Sequence, residues 1–187
     1  GASLTHILQL SGPSRGTVAS RGPSNLPAER IASIAGDAVD SIGEIVWANN
    51  PEYDTLPDLV AYLREYAANF FADTTIDLAL EFPDPAPAGT VTGLFRRHLV
   101  LLLKEALQNI LKHADSRRVE IRLTLGSGRL ELNVGDDGCG LPPDGTCRSG
   151  NGLTNMKRRV AELGGTFEQH SQPGTGTEIR VVVPIAG

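Results

Sequence analysis

The stretch R-V-E-I-R-L-T-L, Arg118 to Leu125, alternates polar and apolar residues without a break, and R-L-E-L-N-V, Arg129 to Val134, does the same after only G-S-G. Period-two alternation on both sides of a short glycine connector predicts a β-hairpin with one face buried and one wet. The neighbouring segments must build on that pair. I-D-L-A-L-E-F, from Ile76, alternates like another strand, and Pro- and Gly-rich residues 83–90 follow it. A long helix is expected from about Leu94 to His113, with Leu99, Leu103, Ala106, Leu107 and Ile110 on its apolar face. After the hairpin, a Gly/Pro-rich loop runs to Gly152. A helix over Leu153 to Leu163 is closed by Gly164-Gly165. T-F-E-Q-H-S and T-E-I-R-V-V-V-P form two last strands around P-G-T-G. The order from about residue 75 is therefore βαββαββ.

Upstream the texture is helical. The first ten residues resemble the end of a helix, and a Ser-, Gly- and Pro-rich connection follows. A new helix should begin near Pro27, carry Ile31, Ile34, Ala35, Ala38, Ile42, Ile45 and Val46 as its stripe, and end before Pro51. Another is expected from about Leu56 to Phe71, with Leu59, Leu63, Tyr66 and Phe70 on one side. The whole chain has 187 residues, room for one full domain and an appendage. We divide it at 1–74, a helical region and connector, and 75–187, the main domain.

Charge and apolar runs exclude some classes. A formal net charge of −5 speaks against a broad nucleic-acid footprint. No apolar run approaches the roughly 18 residues of a membrane span, and no signal peptide is visible. Cys139 and Cys147 lie in one loop without zinc-site companions, and read as free thiols of a reducing cytosol.

Two clusters combine acid and glycine: V-G-D-D-G-C-G, Val134 to Gly140, and G-N-G-L, Gly150 to Leu153. A calcium loop needs alternating oxygen ligands and a closing Glu, which D-D-G-C-G-L-P-P-D-G-T-C lacks. A dinucleotide fingerprint must enter a helix directly after a strand of a parallel unit; here Pro142-Pro143 follow, and a hairpin precedes. In the helix L-L-L-K-E-A-L-Q-N-I-L-K-H-A, Glu105, Asn109, Lys112 and His113 share a face. A carboxylate and a carboxamide one turn apart can hold hydrated Mg²⁺, and the lysine and histidine can reach phosphate. Taken alone, the same pattern is an ordinary solvated polar face.

Together these segments resemble the GHKL ATPase superfamily, which includes gyrase, MutL and the sensor histidine kinases. K-E-A-L-Q-N-I-L-K-H-A is similar to its N box, D-D-G-C-G to its G1 box and G-N-G-L to its G2 box. G-T-G-T, Gly174 to Thr177, is similar to the segment before its last strand. Each is a common pattern alone; their order and spacing carry the resemblance. It implies an α+β fold, a two-layer α/β sandwich (the Bergerat ATP-binding fold) with a mixed sheet covered by helices. Ahead of it would come the α-helical remnant of a dimerisation and phosphotransfer hairpin.

The resemblance also implies roles. Asp136 accepts a hydrogen bond from the adenine amino group, and Thr177 reaches the same edge or a bridging water. Gly138 and Gly140 let the backbone pass close to the purine. Asn109 coordinates Mg²⁺, Glu105 supports metal and orientation, and Lys112 and His113 add charge. Gly150, Gly152 and Leu153 turn backbone N–H groups toward the phosphates. Asp137 stands where Asn is commoner, and either adds charge near the phosphates or faces solvent.

G-L-T-N-M-K-R-R-V-A-E-L-G-G and Q-P-G-T-G-T-E-I-R-V-V-V-P are similar to segments of the histidine kinases that feed LuxR-type response regulators. The likeness spans nearly all of residues 27–187. It implies a cytoplasmic domain of a membrane-anchored or soluble bacterial sensor, a homodimer in the full protein, with ATP, Mg²⁺ and a response regulator as partners. The acceptor histidine is expected just upstream of Gly1, so His6, which lacks the adjacent acid, is read as a surface or packing residue. Trp47 is read as core. Two other readings are an anti-sigma-factor-like serine kinase and a non-catalytic nucleotide switch.

Overall fold

The computed structural model describes residues 53–141 and 152–185. The expectations for the first two helices, His6, Trp47, Cys147 and Gly150 concern residues outside these. All described residues belong to one compact unit, Ile42–Gly187. Its elements are α1 (Leu56–Phe71), β1 (Asp77–Glu81), α2 (Gly93–Asn109) with a π-helical turn (Ile110–Ala114), β2 (Arg118–Gly126), β3 (Arg129–Asp136), α3 (Gly152–Glu162), β4 (Thr166–Gln172) and β5 (Gly176–Pro184). This is the expected βαββαββ order. The strands form one sheet, β1-β2-β3-β5-β4. β1 runs parallel to β2 and the other neighbours are antiparallel, so the sheet is mixed.

The hairpin turns at Ser127 and Gly128, both at positive φ (52° and 70°), as a two-residue turn matched to strand twist requires. Alternation then sorts the side chains. Val119, Ile121, Leu123, Leu130, Leu132, Val134, Ile179, Val181 and Val183 are buried, in one core with Leu99, Leu103 and Leu107 of α2 and Met156 and Val160 of α3. His98 of α2 reaches Glu162 of α3, with Nε2 and Oε2 3.3 Å apart.

The other sheet face is polar. Glu81, Arg122, Asn133, Arg180 and Glu168 stand in register across all five strands. Arg122 donates to Glu81 at 2.5 Å and to Glu120 at 2.7 Å, and Arg180 donates to Glu131 at 2.7 Å. These bonds hold the Glu81 and Glu131 carboxyls below the ordinary range. Exposed ion pairs add little stability; their consequence is a water-facing surface, which leaves the helix-covered face to build the site.

α1 begins at Thr55, whose Oγ1 accepts from the Asp58 amide at 3.2 Å, a standard N-cap. Its buried stripe is Leu56, Leu59, Val60, Leu63, Ala67 and Phe71. Tyr66 and Phe70, expected on that stripe, flank it half-buried; their rings stack in a row with Tyr62 at centroid separations of 6.3 and 6.0 Å. The two larger rings sit where part of each still meets water, and the smaller Ala67 takes the interior position. The start of α1 is tied to the approach to α2. Leu56 N donates to Gly89 O at 2.9 Å and Val91 N to Asp54 O at 3.0 Å, and the buried Arg96 pairs with Asp54 at 2.9 Å. The helix assigned from sequence to the connector thus shares the core of the sheet.

Candidate functional site

The end of α2 departs from the uniform helix expected. Over Ile110–Ala114 the turn widens to a π-helical one, closed by Asp115 at φ 50°. Such turns add a residue to the circuit and are frequent at functional sites. Ile110 and Ala114 stay buried while Lys112 and His113 are exposed. Cys139 N donates to the Ala114 carbonyl at 2.7 Å, and Gly174 N donates to the Cys139 carbonyl at 2.8 Å. The loop after β3 is thereby held on one side to the π turn and on the other to the β4–β5 turn.

The end of α2 with its π turn, the loop after β3, the facing residues of β3, β4 and β5 and the start of α3 close around a cavity of about 470 Å³. It is lined by Glu105, Asn109, Lys112, His113, Asp136, Gly140, Gly152, Leu153 and Thr177, with Ile110, Val134, Leu141 and Ile179 as apolar wall. Every expected site residue that is described, except Gly138, lines this one space. A wider concavity of about 570 Å³ lies on the open sheet face near Arg122, Asn133 and His170. We place the site in the narrower space, because it combines apolar walls with convergent polar groups.

Asp136 ends β3 directly opposite Thr177 on β5. Its Oδ1 accepts from Gly138 N at 2.9 Å. Burial pushes the Asp136 carboxyl above the ordinary aspartate range, against the pull of the Gly138 and Thr177 backbone amides, and the charge of Asp137 adds to the rise. Asp137 itself turns away. Its Oδ1 accepts from the Arg118 and Arg117 amides at 2.8 Å each, bonds that hold its carboxyl low. It is absent from the cavity lining, so of the two alternatives the water-facing one is observed, as a clasp on the start of β2.

The glycines also have a reason within the protein itself. A Cβ on Gly138 would stand 2.1 Å from the Ala114 carbonyl oxygen, and one on Gly140 would stand 2.1 Å from that of Gln172. The collisions are with protein backbone, so these glycines first allow the loop to nest between the π turn and the β4–β5 turn. Gly152 touches Glu105: a Cβ there would lie 2.1 Å from Glu105 Oε1, the end of a flexible side chain that can shift aside. That carboxylate therefore rests against the first residue of α3, where a helix favours an anion.

Among the described residues, no group of three His, Cys, Asp or Glu side chains gathers. The side chains with oxygen donors that line the cavity on α2 are Glu105, Gln108 and Asn109, of which Glu105 and Asn109 lie one turn apart. That pair fits an ion such as Mg²⁺, which keeps several waters and takes further ligands from phosphates rather than from an all-protein cage.

One residue missed from sequence is Ser171 on β4, whose Oγ lies 2.9 Å from Thr177 Oγ1. Its signal was present: it shares strand parity with Phe167, so it is a polar residue on the core-facing side.

Residues 95–187 match the family described as histidine kinase-, DNA gyrase B-, and HSP90-like ATPase. The sensor histidine kinase LiaS of Bacillus subtilis is 31% identical over 155 residues, covering 83% of this chain and 42% of LiaS. The sensor protein VraS of Staphylococcus aureus is 35% identical over 88 residues, covering 47% of this chain and 25% of VraS. The histidine kinase domain of the Erythrobacter litoralis EL346 blue-light activated histidine kinase superposes with a TM-score of 0.59 at 27% identity, over 71% of this chain and 64% of that one. The chain belongs to this ATPase family. Within it, the domain is a catalytic domain of the sensor histidine kinase type. The chain spans less than half the length of these two curated relatives.

Proposed function

We propose that the cavity binds Mg-ATP and that the protein to which this domain belongs transfers the γ-phosphoryl group to a histidine, for relay to a response regulator of the LuxR-type group. The observation that carries this reading is the convergence of Glu105, Asn109, Lys112 and His113 from α2, Asp136 and Thr177 from the sheet, and Gly152 from α3 around one space. Adenine would lie between the apolar walls, with its amino group toward the Asp136 carboxylate. The phosphates would extend toward the start of α3, near Lys112 and His113. Asn109 and Glu105 would hold Mg²⁺, which supplies charge neutralisation at the phosphates. Phosphoryl transfer depends mainly on positioning and on electrostatic stabilisation, and these are what this set of residues provides. Leu153, in the first turn of α3, would close the wall beside the phosphates.

We assign dimerisation and the phosphoacceptor helix to the region ahead of α1, and the whole domain to the cytoplasm. No helix among the described residues is long and apolar enough to cross a membrane.

The test is calorimetric titration with Mg-ATP, Mg-ADP and Mg-GTP. GTP presents a carbonyl where ATP presents the amino group, and that carbonyl would face the Asp136 carboxylate. ATP is expected to bind at least tenfold more tightly, on the scale of about 1.4 kcal/mol for one charge-assisted hydrogen bond. Equal affinities for ATP and GTP would overturn the reading.

Asn109→Ala gives an independent result. It is expected to weaken nucleotide binding several-fold in Mg²⁺, roughly 1 kcal/mol, and to have little effect in EDTA. An identical loss with and without Mg²⁺ would show that Asn109 acts through packing.

A further inference from the structure

We propose that Ser171 sets part of the base selectivity of this site, as a positioning residue that fixes the Thr177 hydroxyl as a hydrogen-bond acceptor. The proposal rests on the adenine-nucleotide reading above. Ser171 on β4 is the register partner of Thr177 on β5. Its Oγ has three polar neighbours: Leu141 N at 2.8 Å, the Gly176 carbonyl oxygen at 3.1 Å and Thr177 Oγ1 at 2.9 Å.

A serine hydroxyl has one proton and two lone pairs. The Leu141 amide can only donate, and the Gly176 carbonyl can only accept. Ser171 therefore takes the Leu141 proton on one lone pair and gives its own proton to Gly176. Its second lone pair is left for the Thr177 proton. This is the one arrangement in which all three contacts are hydrogen bonds. It commits the Thr177 proton to Ser171 and leaves Thr177 with only lone pairs to offer the cavity.

Thr177 and the Asp136 carboxylate stand opposite each other across β3 and β5, so the site presents two acceptors together. Two acceptors suit an exocyclic amino group, or a water that donates to them, and they repel a carbonyl at the same position. Without Ser171 the Thr177 hydroxyl is free to rotate and donate to such a carbonyl. A site built to pair with one polar group rejects the analogue that leaves its own groups unpaired.

The experiment compares Mg-ADP with Mg-IDP, which carries a carbonyl in place of the adenine amino group, by calorimetry on the wild-type chain and variants. Wild type is expected to prefer ADP. Ser171→Ala is expected to narrow the ADP-to-IDP affinity ratio by about five- to tenfold, the scale of one hydrogen bond, and Ser171→Thr, which keeps the hydroxyl, to retain it. Thr177→Val should narrow the ratio similarly, and in that background Ser171→Ala should change it no further. A variant that weakens ADP and IDP equally would reduce Ser171 to a structural role and overturn the proposal. If Ser171→Ala does not fold, a ratio unchanged by Thr177→Val overturns it as well. A wild-type chain that binds neither nucleotide removes the adenine reading itself and this proposal with it, whereas a preference for ADP that survives Ser171→Ala sinks only the proposal.

Discussion

Gly140→Ala is expected to lower the stability of the domain by about 3 kcal/mol or more and to abolish a well-formed nucleotide cavity. Gly140 has φ +66°, and an added Cβ would meet Gln172 O at 2.1 Å and Gly176 O at 3.1 Å. A side chain in left-handed backbone costs roughly 1–2 kcal/mol. Crowding a packed site adds about 1–3 kcal/mol. The obstructing atoms are backbone at the ends of β4 and β5, so relief means moving the turn that carries Thr177. Thermal unfolding should show a fall of roughly 10 °C. Gly126→Ala is the control, because nothing lies within 4 Å of a Cβ there and its φ is not positive. Equal melting temperatures for the two variants would disprove the nested-loop account.

Much of this fold could be read from periodicity, because sheet alternation and helix spacing are local consequences of which side is buried. The hairpin is the clearest case: G-S-G between two alternating runs leaves a two-residue turn little choice. α1 was legible as a helix but not as part of the sheet's core. Its membership depends on the Asp54–Arg96 pair and on bonds to Gly89 and Val91, contacts between segments that no spacing rule connects. The π turn was equally hidden, since Ile110 to Ala114 has ordinary helical composition and the loop that bonds the Ala114 carbonyl is distant in sequence.

The site divides the same way. Glu105, Asn109, Lys112, His113 and Asp136 were singled out because their segments resemble the N and G1 boxes in order and spacing, whereas the shared helix face alone reads as an ordinary polar surface. What the glycines after Asp136 touch could not be read, because the obstructing atoms, Ala114 O and Gln172 O, belong to segments distant in sequence. Asp137 shows the limit for charge: the sequence left open whether it adds charge near the phosphates or faces solvent, and the Arg117 and Arg118 amides that decide it lie about twenty residues away along the chain.

Asp136→Asn is expected to separate binding from stability. On the proposed reading the variant would lose a charge-assisted bond to the adenine amino group, so Mg-ADP affinity should fall by about 1–3 kcal/mol. Stability should move the other way. Burial raises the Asp136 carboxyl above its unfolded value of 3.8, so the folded domain keeps the proton to a higher pH than the unfolded chain does. Ionisation of this group therefore opposes folding, fully above the folded pKa and not at all below the unfolded one. Asn keeps an oxygen to accept from the Gly138 amide but has no charge to bury. The nucleotide-free variant should melt at or above the wild-type temperature at neutral pH, and that advantage should shrink as pH falls toward 3.8. Nucleotide affinity of the wild type should weaken on the acid side as the carboxylate takes up its proton, starting above the range of an exposed aspartate, and the variant should lack that component. A variant that melts well below wild type at neutral pH would mean that Asp136 holds the loop together, and that its ionised form is a requirement of the fold before it is a reader of the base.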